Sequence, residues 1–240
     1  ALLGAGLPGL AQAQVILQLD LALWTRFQGT AVALLQDVQP SNEGLLRQNK
    51  ANVNNYNASD QIGAGSWLRL ATIARDQEAM QKGLRAIEVT LAGNLPDGSF
   101  VHVERLDDSR VRRVTGLRGK YLDASLLGDF CLGLLVADAG QPISAEYGRR
   151  NSPPLARALR SVKFQAQALL QFAASRPDQL MTIAGMFHSC GLLLKDAKAQ
   201  AMAITFAQQA TRNTTYAGIW TFGGKTDTSL AASTNKAALD

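Results

Sequence analysis

Residues Ser66 to Ala92 read SWLRLATIARDQEAMQKGLRAIEVTLA and are followed by Gly93. Trp67, Leu70, Ala71 and Ala74 recur at helical spacing, and so do Leu84, Ile87 and Leu91. The segment reads as one amphipathic helix or two, with Gly93 as a natural C-terminal cap. The same period governs most of the chain. Val15 to Val38 carries it and stops at Gln39-Pro40. Leu122 to Ala139 carries it and ends at Gly140. Ser152-Pro153-Pro154 reads as a cap with proline in the first turn of a helix running to about Ser175. Pro177 opens another that ends near Gly191, and Lys195 to Thr211 is the next, with Ala199, Met202, Ala203, Phe206 and Ala210 on one face. Strand alternation is confined to Ser99–Glu104, SFVHVE. The fold is therefore expected to be mostly α.

Helix pairs spaced by about 40 to 50 residues suggest a helical-hairpin array or α/α toroid. The chain has 240 residues, too few for six such hairpins at that period, so an incomplete toroid or part of a larger protein is expected. Residues 1 to 13, ahead of Gln14, read either as the remnant of a secretory signal lacking its basic start or as an ordinary apolar segment. Residues 14 to 240 read as one domain, with the tail from Thr214 rich in Gly, Thr, Ser and Ala.

Hydrophobic residues make up 47% and charged residues 18%, which suffices for a substantial core. No apolar run is long enough to cross a bilayer. The net charge is +5 and the isoelectric point about 9.4, which favours polyanionic partners. Basic residues cluster at Arg105, Arg110, Arg112, Arg113, Arg118 and Lys120 without the aromatic interleaving that binds single strands, so nucleic acid is not expected. Cys131 and Cys190 sit in apolar, helix-like surroundings and read as two buried thiols, a disulfide being the alternative. No spacing points to a metal, and none to a cofactor. Gly223-Gly224-Lys225-Thr226 lacks the upstream glycine of a phosphate loop, that position being Ile219. His188, in GMFHSCG, reads as a core or helix-end histidine.

The long loops hold the candidate chemistry. The segment Asn52, Asn54, Asn55, Tyr56, Asn57, Ser59 and Asp60 precedes Gly63 and offers donors and acceptors for sugar hydroxyls, or Asx turns that cap a helix. Leu95-Pro96-Asp97-Gly98-Ser99-Phe100 is a turn signature with Phe100 as a core anchor, and His102, Glu104 and Arg105 follow it. Gly119-Lys120-Tyr121 stands at an expected helix start. A tyrosine beside cations there can act as base and then acid, or simply pack at an interface.

In this order, Asn54-Asn55-Tyr56, Pro96-Asp97-Gly98-Ser99-Phe100, Glu104-Arg105 and Tyr121 resemble the α/α-toroid polysaccharide lyases of the alginate and glycosaminoglycan lyase group. Gly223-Gly224-Lys225-Thr226-Asp227-Thr228-Ser229 is similar to a turn of toroid proteins. The resemblance covers about a third of the chain, and it is carried by the order of motifs that are individually unspecific. It implies β-elimination at a uronic acid in a secreted or periplasmic protein. Asn55 and one of Arg105, Arg112 or Arg113 would neutralise the sugar carboxylate. Tyr121, with His102 near it, would move the proton. Asn54, Tyr56, Arg105, Arg112 and Lys120 would line the groove for an acidic polysaccharide. The chain departs from the pattern in three ways. Tyr56 replaces the histidine after Asn-Asn, His102 lies elsewhere than the usual histidine, and the Phe100–Tyr121 loop is long. Two other readings are therefore carried: a glycan-binding or structural helical protein, acting as a homo-oligomer or in a larger assembly, and a toroid glycoside hydrolase using Asp60, Asp97 or Glu104.

Overall fold

The computed structural model describes residues 57–105, 111–140 and 143–212. The possible signal remnant, the Val15–Val38 helix, Asn54, Asn55, Tyr56 and the Gly223–Ser229 turn all lie outside these residues.

The described chain is mostly helical. After a 3-10 turn at Ala58–Gln61 come α1 (Ala64–Ala74) and α2 (Gln77–Ala92), then an antiparallel ribbon of β1 (His102–Arg105) and β2 (Val111–Val114). They are followed by α3 (Gly116–Gly140), α4 (Ala145–Phe164), α5 (Ala166–Phe172), α6 (Pro177–Leu193) and α7 (Ala197–Thr211). In space the principal helices pack in the order α2, α1, α3, α6, α7. α1/α2 and α6/α7 are thus helical hairpins on either side of α3, while α4 runs against α2 and α3.

Local chemistry sets the boundaries. Ser66–Ala92 forms two helices because Arg75 takes a left-handed backbone (φ 57°) and Asp76 restarts the chain, its side chain accepting from Ala79 N at 3.0 Å. The Trp67 indole N–H donates to Ala79 O at 2.8 Å, which locks this hairpin. Gly93 ends α2 as expected.

Three expected boundaries move. α3 begins at Gly116, directly after the ribbon, so Tyr121 lies in its second turn rather than at its start. α4 begins at Ala145, not after Ser152. Ser144 caps it by accepting from Tyr147 N at 3.1 Å, and Pro153 and Pro154 lie inside the helix. Buried Tyr147 and Asn151 hold the turns ahead of the prolines: Tyr147 donates to Leu84 O at 3.0 Å and Asn151 to Tyr147 O at 2.9 Å. The donors that the prolines lack would serve the carbonyls of Arg149 and Arg150, which are exposed residues within reach of water. The expected helix to Ser175 breaks at Gln165 into α4 and α5.

The core is continuous. Phe130, Phe187, Leu68, Ile87, Leu126, Leu127 and Met186 are fully buried, each contributing about 1.5–3 kcal/mol. The rings of Phe187 and Phe206 lie 5.5 Å apart and join α6 to α7. α1 and α3 approach until their backbones touch. A Cβ on Gly65 would stand 1.8 Å from Asp129 O, and one on Gly133 would stand 2.5 Å from Gly65 Cα. The Asp129 side chain caps α1 from α3, accepting from Gly63 N (2.9 Å), Gly65 N (2.7 Å), Ser66 N (2.9 Å) and Ser66 Oγ (2.8 Å).

Cys131 and Cys190 are not thiols but a disulfide linking α3 to α6, with Cα atoms 5.2 Å apart across 59 residues of sequence. Helix packing brings them within bridging distance, which neither local context announced. His188 is neither in the core nor at a helix end. It is exposed within α6 while Phe187 and Ser189 beside it are buried.

Asp196 caps α7 by accepting from Ala199 N at 3.0 Å, and Lys163 Nζ meets its other oxygen at 2.6 Å. The lysine hydrogen bond first, then the cap bond, hold its carboxyl below the ordinary aspartate value. A depressed carboxylate contributes stability above its unfolded pKa, and that stability is lost as pH falls through the folded value. Asp196→Ala should therefore cost about 1 kcal/mol in urea denaturation at neutral pH and little at pH 2. An equal cost at both pH values would refute this account.

Candidate functional site

The Leu95–Phe100 turn is built as its sequence indicates. Asp97 Oδ1 accepts from Ser99 N (2.9 Å) and Ser99 Oγ (2.6 Å), and Gly98 takes φ +84°. Leu95 and Ser99 pair through Leu95 N→Ser99 O at 2.8 Å. Phe100 enters the core as expected, and its N–H donates to Asp123 Oδ1 at 3.0 Å. The turn presses on α4, since a Cβ on Gly98 would lie 2.5 Å from Arg157 O.

Between this turn, α3 and α4 lies a cleft of about 520 Å³, lined by Pro96, Asp97, Lys120, Arg157, Arg160, Ser161, Phe164 and Gln165. Arg157, Arg160, Ser161 and Phe164 recur every three to four residues and so share one face of α4. Asn94 fixes Arg157 by accepting from its Nε (2.9 Å) and Nη2 (2.6 Å) while donating to Pro154 O (3.1 Å). Lys120 Nζ is held between Ser161 Oγ (2.7 Å) and Asp123 Oδ2 (3.1 Å). Arg160 is exposed and makes no ion pair with a described residue. Phe164 stands at the rim, 86% exposed, an unusual position for so large an apolar side chain. The cleft thus offers three cations, one carboxylate and an aromatic face. The two hydrogen bonds from Ser99, side chain first and then backbone, hold the Asp97 carboxyl below its ordinary value, and the Lys120 charge adds to this against the effect of burial.

Behind the cleft runs a buried polar chain. Asp123 Oδ1 meets His102 Nε2 at 2.9 Å, and His102 Nδ1 meets Ser59 Oγ at 2.8 Å. His102 is 1% exposed with both ring nitrogens engaged. Asn57 ties the same region together, accepting from Val103 N (3.0 Å) and donating to Val103 O (3.2 Å) and Asp60 Oδ1 (3.1 Å). Of the two readings for this asparagine-rich segment, Asn57 fills the capping one: its Oδ1 also accepts from Ser59 N at 3.2 Å.

Among the described residues expected to form a site, not all line this cleft. Lys120 lines the cleft. Glu104 pairs with both Arg112 and Arg118. The hydrogen bond from Arg112 keeps its carboxyl below the ordinary glutamate value. The strand register puts Glu104 and Arg112 on the same ribbon face as His102, and Arg113 on the opposite face, exposed. Arg105 ends β1 opposite Val111. Tyr121 is half-buried against the core, and its hydroxyl hydrogen-bonds to no described residue. It lies within electrostatic reach of Arg176, whose guanidinium is held protonated chiefly by Asp178. Of the three candidate hydrolase acids, only Asp97 lines the cleft, so no two of them face each other across it.

The sequence reading missed Arg157, Arg160, Ser161 and Phe164. Their signal was the helical spacing within RALRSVKF, residues 157–164. Asp123 had no local signal, and nothing local paired Ser59 of the asparagine-rich segment with His102. Among the described residues no group of His, Cys, Asp or Glu could hold a metal ion, and no helix is long and apolar enough to cross a membrane.

No family model, no curated protein and no solved structure matches the chain.

Proposed function

We propose that the protein binds an acidic glycan in the cleft between the Leu95–Phe100 turn and α4. One observation carries the reading: Lys120, Arg157 and Arg160 converge on one concavity, with two of the three braced by neighbouring side chains and Phe164 at the rim. Braced cations favour a carboxylate because little side-chain freedom is lost on binding. An exposed aromatic suits the apolar face of a sugar ring. A uronate-containing polysaccharide supplies both features in every repeat. The helical hairpins around α3 are those of an incomplete α/α toroid in this reading. The buried disulfide belongs with an oxidising compartment and supports a secreted or periplasmic protein.

The test is a titration of oligogalacturonate or oligoglucuronate against the intact chain, monitored by calorimetry. The double variant Arg157→Ala, Arg160→Ala should weaken binding at least tenfold with its melting curve little changed. Undiminished affinity would place the site elsewhere.

A lyase is the second reading, favoured by Tyr121 lying within electrostatic reach of Arg176 with its hydroxyl unengaged by described residues. It predicts an ultraviolet-absorbing unsaturated product from a uronate polymer and its loss in Tyr121→Phe. His102 would serve in this scheme as a buried support, since both ring nitrogens are occupied. A glycoside hydrolase has less support, because it needs two facing carboxyl groups.

A further inference from the structure

We infer that Asp97 makes the cleft selective for anions that carry hydroxyl groups beside their charge, and so for sugar acids over plain polyanions. The inference rests on the proposal that this cleft binds an acidic ligand.

A carboxylate among three cations looks misplaced in a site for anions. Its position is nevertheless built with care. Both Ser99 donors address Oδ1, at 2.9 and 2.6 Å. No described residue donates to Oδ2 within hydrogen-bonding distance, and Asp97 is exposed on the cleft wall. Oδ2 is therefore a charged acceptor open to a ligand. Its placement relative to Arg157 is constrained, because Gly98 packs against the Arg157 carbonyl and Asn94 clamps the Arg157 guanidinium.

Two consequences follow from that placement. A bare anion held by Lys120, Arg157 and Arg160 is repelled by Asp97 and offers it nothing. A uronate whose carboxylate meets the cations can turn a ring hydroxyl toward Oδ2. That hydroxyl then donates to an ionised acceptor, which is a strong hydrogen bond. Sulfate and ionised polyacrylate chains have no such donor. The carboxylate thus trades general affinity for discrimination.

The experiment compares oligogalacturonate with polyacrylate of matched carboxylate number, both titrated against the intact protein at one ionic strength. The wild type should bind the uronate about tenfold more tightly. Asp97→Asn keeps an oxygen for Ser99 but turns an amide donor toward the ligand. It should weaken the uronate about fivefold to tenfold and strengthen polyacrylate, so the two affinities move in opposite directions. If wild type binds both polymers equally, the inference fails while the cleft assignment stands. If both affinities shift the same way in the variant, Asp97 acts only as a charge and the inference also fails. If wild type binds neither polymer, the cleft assignment fails and takes the inference with it. The wild-type comparison needs no variant, so the inference is exposed to failure even if Asp97→Asn folds poorly.

Discussion

Gly65→Ala should abolish or nearly abolish the cooperative folding of this chain. The added methyl carbon would stand 1.8 Å from the Asp129 carbonyl oxygen and 2.4 Å from its carbon. Both are backbone atoms of α3, so no rotamer change relieves the clash. Either α1 moves off α3 or the residue is not accommodated. Ordinary overpacking costs about 1–3 kcal/mol when side chains can yield. Here helix separation would also pull Gly63, Gly65 and Ser66 away from the Asp129 carboxylate and leave their N–H groups to find other partners. A loss of about 4 kcal/mol or more is expected, near the whole stability of many domains. Gly133→Ala should behave alike, since its Cβ would approach Gly65 Cα to 2.5 Å. The pair should be strongly non-additive because both variants open one interface. Circular dichroism during urea denaturation measures each effect. A Gly65→Ala protein within 1 kcal/mol of wild type would mean that α1 and α3 are not packed as described.

Removing the Cys131–Cys190 bridge should have the next largest effect. The bond spans 59 residues, and chain-entropy reasoning assigns a loop of that length about 4 kcal/mol through restriction of the unfolded chain. The double variant Cys131→Ala, Cys190→Ala should lose that contribution together with some packing, because both side chains are buried between α3 and α6. The same burial predicts that mild reductant leaves the folded protein untouched until urea opens it. Thiol titration during denaturation, with and without reductant, checks both statements. Equal midpoints for the reduced and oxidised chains would refute the first. Rapid reduction of the native protein would refute the second.

The helices were legible because their signals are local. Apolar spacing around Trp67 and Ile87 and the stop at Gly93 lie within a few residues of what they control. The Asp97-Gly98 turn was legible for the same reason. The start of α4 was misread because a Ser-Pro-Pro sequence imitates a helix start, and the burial of Tyr147 and Asn151 overrides it. The disulfide, the Asp129 cap and the link from His102 to Asp123 were illegible because each joins residues far apart in sequence. The candidate site divides in the same way. Lys120 stood out within a cluster of basic residues. Arg157, Arg160 and Phe164 were hidden on an amphipathic helix whose polar face looked like ordinary solvated surface. Arg112 and Glu104, prominent in the sequence, answer each other across the ribbon.

The carboxylate that closes the start of α1 comes from Asp129, which follows Gly63 by 66 residues and Ser66 by 63. α1 has 11 residues, below the length at which an isolated helix holds in water. It is consequently an element whose nucleation waits on a distant event. Until the chain between Ser66 and Asp129 has closed on itself, the first turn of α1 lacks its acceptor. That requirement raises the contact order of an otherwise local, helical topology. The rate-limiting barrier should therefore contain α1 and α3 already docked, so that Asp129→Ala slows folding more than it speeds unfolding.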